Sequence, residues 1–181
     1  MSILVPYDPS WPAQFVQIST ELREYGNASW EIEHIGSTAI AGMPAKPIID
    51  VAVRVTDAAD LARHRPALEC RGWRVGSGVR SHPVMVFEPH GIRTRVAHFF
   101  SASAWEEANQ RLFRDWLRTH PEDAAQYARA KEQAAKDAAG GSRTYNAGKT
   151  AIIQQIVDRA RTALGLPLVD AYDKERSPDA S

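Results

Sequence analysis

The run Trp30-Glu31-Ile32-Glu33-His34-Ile35 alternates apolar and polar side chains, the pattern of a half-buried β-strand, and stops abruptly at Gly36-Ser37. A second run, Ile48 to Val55, is apolar except for Asp50 and Arg54 and is the most strand-like segment of the chain. Between them, Ala41 to Pro47 is too rich in Gly and Pro for regular structure. Upstream, Ser10-Trp11-Pro12 opens a helix, because Ser can cap free N–H groups and Pro tolerates the first turn. Phe15, Ile18 and Leu22 continue it at near-helical spacing. Downstream, Asp57 with Asp60 starts an amphipathic helix through Leu61 and Leu68 that stops near Gly72. Trp73 to Val75, Pro83 to Glu88 and Arg93 to Phe100 then read as short strands joined by Gly- and Pro-rich turns, so antiparallel connections are expected.

From Ser103 the period becomes helical. Ser103-Ala104-Trp105-Glu106 is a capping-box pattern, and Trp105, Ala108, Leu112 and Trp116 form an apolar stripe on one expected helix. Pro121 opens a second, Ala-rich helix ending at Gly140-Gly141. Ile152, Ile153, Ile156, Val157, Ala160 and Leu164 define a third before Gly165. The pattern predicts an α/β (α+β) fold: a mixed β-sheet with flanking helices and a helical C-terminal third. Residues 1–166 form one domain, with the sheet in about 1–102 and the helical part in 103–166. Residues 167–181 are a loosely ordered tail, because they bury too little to offset the entropy of ordering them.

A chain of 181 residues that is 44% hydrophobic can bury a substantial core, so one domain suffices. Lys+Arg and Asp+Glu both number 22, which removes any net field toward nucleic acid or an anionic membrane and makes any anion site local. No apolar stretch approaches the ~20 residues of a bilayer span, and Met1 to Tyr7 lacks the features of a signal peptide. The single cysteine, Cys70, excludes an internal disulfide and reads as a packing residue in a reducing compartment. A cytoplasmic location is expected.

The chemistry concentrates between Glu33 and Asp50. A strand that breaks at Gly36-Ser37-Thr38 offers backbone N–H groups and hydroxyls, and Gly lets a phosphate approach the backbone. Asp50 lies in an otherwise apolar strand, where an ionised carboxylate must be paired, hydrogen-bonded or bound to a cation. Lys46 is placed to neutralise phosphate, or faces solvent. Alternation in Arg93 to Phe100 sends Arg95 to one face and His98 to the other. Tyr145 and Lys149, spaced i,i+4, are expected on one helix face, where they reach a common ligand or serve packing. Arg114, Asp115 and Arg118 add charge to the first C-terminal helix, and Trp105 and Trp116 read as core.

His34 to Val51, HIGSTAIAGMPAKPIIDV, closely resembles the signature block of the GrpB family. The resemblance extends through Val5 to Trp11 and Phe113 to Arg118 and reaches Tyr145 and Lys149. It implies a nucleotidyltransferase-like fold in which the Gly36-Ser37 turn holds a nucleotide and Asp50 binds magnesium. Related domains occur fused to dephospho-coenzyme A kinases, but this chain has no Walker A motif, so no kinase activity carries over. Nucleotidyltransferases commonly present two carboxylates two residues apart on one strand face, where they share divalent cations. Here the second place is Ala52, a gap the family pattern shares; Glu88 is the candidate replacement. His98 resembles the first histidine of a family HLH strand, with Phe100 in place of the second.

The first functional reading is therefore a magnesium-dependent nucleotidyltransferase with an unknown acceptor. In it Asp50 is catalytic, Asp50 and Glu88 hold the metal, and Gly36, Ser37, Thr38, Lys46, Arg95, His98, Tyr145 and Lys149 bind nucleotide or phosphate. The alternatives are a non-catalytic module for a nucleotide or phosphorylated metabolite, and a protein-interaction or folding-accessory domain using the helical third. Neither membrane nor nucleic acid is a favoured partner.

Overall fold

Ile49, Val51 and Val53 project to one side of their strand, and Asp50 and Ala52 to the other. This split organises the protein. The computed structural model describes residues 4–76, 79, 81–137 and 142–171. Its five-stranded sheet contains β1 (Glu31–Ile35), β2 (Ile49–Arg54), β3 (Trp73–Val75), β4 (Val84–Phe87) and β5 (Arg95–Phe100), in the order β1-β2-β5-β4-β3. The β2–β5 pair is parallel, with Asp50 opposite Val96 and Ala52 opposite His98; the other pairs are antiparallel. The mixed sheet and the helical C-terminal third agree with the sequence reading.

Two helices, α1 (Trp11–Tyr25) and α2 (Asp60–Cys70), cover the Val51 face. Trp11, Leu22, Trp30, Val51, Val53, Leu68, Trp73 and Phe99 are buried in this core. Each such side chain contributes about 1.5–3 kcal/mol of transfer free energy. Asp60 is fully buried beneath α2, where its carboxylate accepts hydrogen bonds from Trp30 Nε1 (2.8 Å), Thr56 N (2.8 Å) and Thr56 Oγ1 (2.8 Å). The helix starts at Asp60 rather than Asp57: Asp57 stays exposed and accepts from Ala59 N at 2.8 Å, and Asp60 is the buried polar anchor. Ser10 also departs from its expected role: its hydroxyl accepts from Gln14 Nε2 and caps no backbone N–H. Cys70, expected to pack, is exposed at the last residue of α2.

On the opposite side lie the C-terminal helices α3 (Ala102–Trp105), α4 (Asn109–Thr119), α5 (Pro121–Asp137), α6 (Ser142–Ala147) and α7 (Thr150–Ala163), of which α3 packs on β5 and α4 on β1. The single helix expected through Trp105 and Trp116 is broken after Trp105. Ser101, not Ser103, supplies the cap, accepting from Ala104 N at 3.3 Å. Ile40, Met43, Phe113, Leu117, Tyr127, Ile156 and Val157 join α4, α5 and α7 to the loop after β1. Arg111 and Arg114 of α4 clamp Glu33 of β1 at 2.8 and 2.7 Å. Residues 167–171, assigned to the loose tail, are tied to α7: Gln154 Nε2 donates to Val169 O at 2.9 Å and Gln154 Oε1 accepts from Ala171 N at 2.8 Å. The rest of the expected tail lies outside the described residues.

Candidate functional site

The break after β1 is made by Gly36, at φ 72° and ψ −173°, followed by one 3₁₀ turn over Ser37–Ala39. Two constraints require glycine there. The backbone angle is one that L side chains rarely adopt, and a Cβ would fall 2.5 Å from Asp50 Oδ2. The turn and the Asp50 carboxylate are thus packed directly together. Thr38 is buried and stitches the segment, with its hydroxyl 3.0 Å from His34 Nε2 and donating to Ile48 O at 3.3 Å. His34 is pushed down to about 4 by burial and by the charges of Arg118 and Arg114, so it is neutral at pH 7.

A cavity of about 280 Å³ opens in front of this turn, lined by Ser37, Thr38, Lys46, Asp50, Arg93, His98, Lys131, Tyr145, Asn146 and Lys149 among others. Tyr145 is buried between two cations, with Lys46 Nζ 4.3 Å and Lys149 Nζ 4.5 Å from its ring centroid. The chain path differs from the expected single helix: α6 ends at Ala147 and Lys149 precedes α7, yet both side chains reach the same cavity. Burial pushes the Tyr145 phenol well above its ordinary range, so its ring is neutral. Ser37 Oγ lies 3.4 Å from the hydroxyl of Tyr127, which burial pushes up to about 12.

Lys131, on α5, was not visible as a site residue in the sequence. It is 1% exposed, donates to Pro44 O, and lies over the Tyr127 ring at 5.1 Å. Burial, with Lys149 adding repulsion, pushes its ammonium down to about 7. Three lysines therefore converge on one concave surface beside Asp50, the one carboxylate lining it among the described residues. Such a surface can neutralise an anion carrying several charges.

His98 extends from β5 on the Asp50 side, with Nε2 4.0 Å from Asp50 Oδ1. Its Nδ1 lies 2.8 Å from Nε2 of the buried His82, whose Nδ1 is 2.7 Å from Ser81 Oγ. His82 also packs on Phe100, with ring centroids 4.2 Å apart. A histidine pair is present, but its second member comes from the approach to β4, where no periodic pattern marks it. Asp50 and His98 also line a second cavity, of about 220 Å³, whose wall is largely apolar: Ile35, Phe113, Ile153, Val157 and Ala171, with the amides of Asn109 and Gln110.

Two expected members are elsewhere. Arg95 lies on the opposite sheet face, paired with Glu21 of α1 at 2.7 Å and packed over the Phe87 ring, because alternation carries it away from His98. Glu88 is held by Arg74 and Arg93, each at 2.6 Å, and does not line the Asp50 cavity. The Arg93 hydrogen bond is the main cause of its depressed carboxyl pKa. Arg114 and Arg118 serve the scaffold, donating to His34 O and Ala39 O. Ala52, at the place of a second carboxylate, packs with Ile35, Phe100, Trp105 and Ala108. Among the described residues no group of three or more His, Cys, Asp and Glu side chains could hold a metal ion. This donor set does not fit a protein-held magnesium pair. Among the described residues no helix is long and apolar enough to cross a membrane.

The comparisons agree with this architecture. The chain is 36% identical over 167 residues to UPF0157 protein BH1888 of Halalkalibacterium halodurans, covering 87% of this chain and 81% of the relative. A crystal structure of conserved protein GrpB from Enterococcus faecalis superposes with a TM-score of 0.81 at 26% identity, over 90% of this chain and 99% of that one. The GLD-2/RNP-8 complex shares the fold more distantly, with a TM-score of 0.52 at 12% identity over 83% of this chain and 60% of that one. The family model described as GrpB protein matches residues 2–159, and the chain belongs to that family.

Proposed function

We propose that the chain binds a nucleotide, or another phosphorylated small molecule, in the lysine-lined cavity and transfers a nucleotidyl group from it to a hydroxyl acceptor. The convergence of Lys46, Lys131 and Lys149 on a cavity bordered by Ser37 and Asp50 carries this reading. Acceptor oxygen would bond to phosphorus as the bridging P–O bond to the leaving phosphates breaks. The ammonium groups would offset charge on the departing oxygens, and the hydroxyl proton would pass to the Asp50–His98 pair. Electrostatic stabilisation of this kind supplies much of the rate in phosphoryl-group chemistry. Magnesium brought by the nucleotide needs few protein ligands, and Asp50 is the carboxylate on the cavity wall that could serve. A cytoplasmic location, in keeping with the single cysteine, would supply such ligands.

A second reading, binding without turnover, is favoured by the apolar packing of Ala52 where a second carboxylate would sit. The test is a thermal-shift screen of nucleoside triphosphates and phosphorylated metabolites, with and without magnesium, on wild type and Asp50→Asn, followed by mass spectrometry of the hits for turnover. A shift with a product that Asp50→Asn does not form supports transfer, whereas a shift without a product in any acceptor mixture supports binding alone. No shift with any phosphorylated compound would overturn both.

A further inference from the structure

Asp50 and His98 form a shared border between two chemically different cavities, one polar and cationic, the other largely apolar. Resting on the phosphate-binding reading above, we infer that the apolar cavity receives the base of a nucleotide whose phosphates occupy the cationic one, so that the ligand is a nucleotide rather than a compact sugar phosphate.

Phe113, Ile153 and Val157 supply the apolar wall, and Asp50 and His98 are the ionisable side chains lining this cavity. A second phosphate group would meet no lysine or arginine among those lining residues. A flat heterocycle fits better, because its faces need apolar contact while its edge needs a few donors and acceptors. Gln110 and Asn109 offer them at one end of the cavity. Asn109 Oδ1 already accepts from Arg161 at 2.9 Å, which fixes the amide and turns its NH₂ group into the available half. Primary amides match the paired donor and acceptor edge of a nucleobase. A sugar phosphate would occupy the cationic cavity and leave this wall uncovered.

The experiment compares titration calorimetry of ATP, GTP, CTP and UTP with that of inorganic tripolyphosphate, which has the charge without the base. Wild type is measured beside Ile153→Trp, which fills the cavity from a partly exposed position, and Gln110→Ala, which removes an amide from the first turn of α4; melting curves establish that each variant folds. The expected result is tighter binding of at least one nucleotide than of tripolyphosphate. Ile153→Trp should then weaken that nucleotide by about tenfold or more while tripolyphosphate is unchanged, and Gln110→Ala should alter the ranking of the bases. Tripolyphosphate binding as tightly as every nucleotide, or a nucleotide affinity indifferent to Ile153→Trp, overturns the base pocket and leaves the phosphate site standing. If neither tripolyphosphate nor any nucleotide binds, the phosphate site itself is wrong, and the base pocket falls with it.

Discussion

Gly36 and Asp50 are packed so closely that a methyl group on Gly36 would sit 2.5 Å from Asp50 Oδ2. Gly42 provides the control, because it shares a positive φ of 76° but has nothing within 4 Å of its missing side chain. Gly42→Ala should cost only the backbone strain, about 1–2 kcal/mol, and leave ligand binding intact. Gly36→Ala should add displacement of the carboxylate and abolish binding. Paired melting and binding measurements check this; equal binding by the two variants would show that the Gly36 contact does not matter to the site.

Asp60 anchors the fold on the face away from the site. Burial alone would raise its carboxyl, but hydrogen bonds from Thr56, Trp30 and Asn27 hold it well below the ordinary range. Asp60→Ala would strand the buried Trp30 and Thr56 donors and should destabilise the protein by about 3 kcal/mol. Asp57→Ala, at the exposed neighbour, should scarcely move the midpoint. Urea unfolding of the two variants measures the difference.

His34 gives the fold an acid sensitivity of its own. Its ordinary value of 6.5 falls to about 4 in the fold, so between those values the unfolded chain binds the extra proton. Stability should therefore be complete above pH 6.5 and decline as pH falls toward 4, by about 3 kcal/mol in total. His34→Gln should flatten this part of the stability profile, measured by denaturant midpoints across the range; an unchanged slope would assign the sensitivity to other groups.

Lys131 should make ligand binding consume a proton. Its ammonium titrates near 7 in the unliganded fold, and a phosphate beside it favours the charged form, so affinity should fall as pH rises above 7. At pH 8 binding should take up as much as about one proton, read from calorimetry in buffers of different ionisation enthalpy. Lys131→Met should lose that uptake.

The parts of the site that could be read along the chain are those set by local rules. The alternation of β1 and the glycine after it located the turn, and the alternation of β5 put Arg95 and His98 on opposite faces, as the structure has them. Lys131 and Tyr127 were not legible, because they look like ordinary residues of an Ala-rich helix until α5 packs against Pro44 and Ser37, 87 and 90 residues away in sequence. His82 was hidden for a similar reason: its partner is set by the β4–β5 register, which no local period encodes. Arg114 read along the chain only as charge on a helix, and tertiary packing makes it a clamp, because it pairs with Glu33 of β1 as well as with its neighbour Asp115.

Whether the lysine-lined cavity seats phosphates is decided by a crystal structure with a non-hydrolysable nucleoside triphosphate. Phosphate density is expected between Lys46, Lys131 and Lys149, beside Ser37 and Asp50. Phosphates seated outside this cavity, away from the three lysines, would overturn the phosphate-site reading.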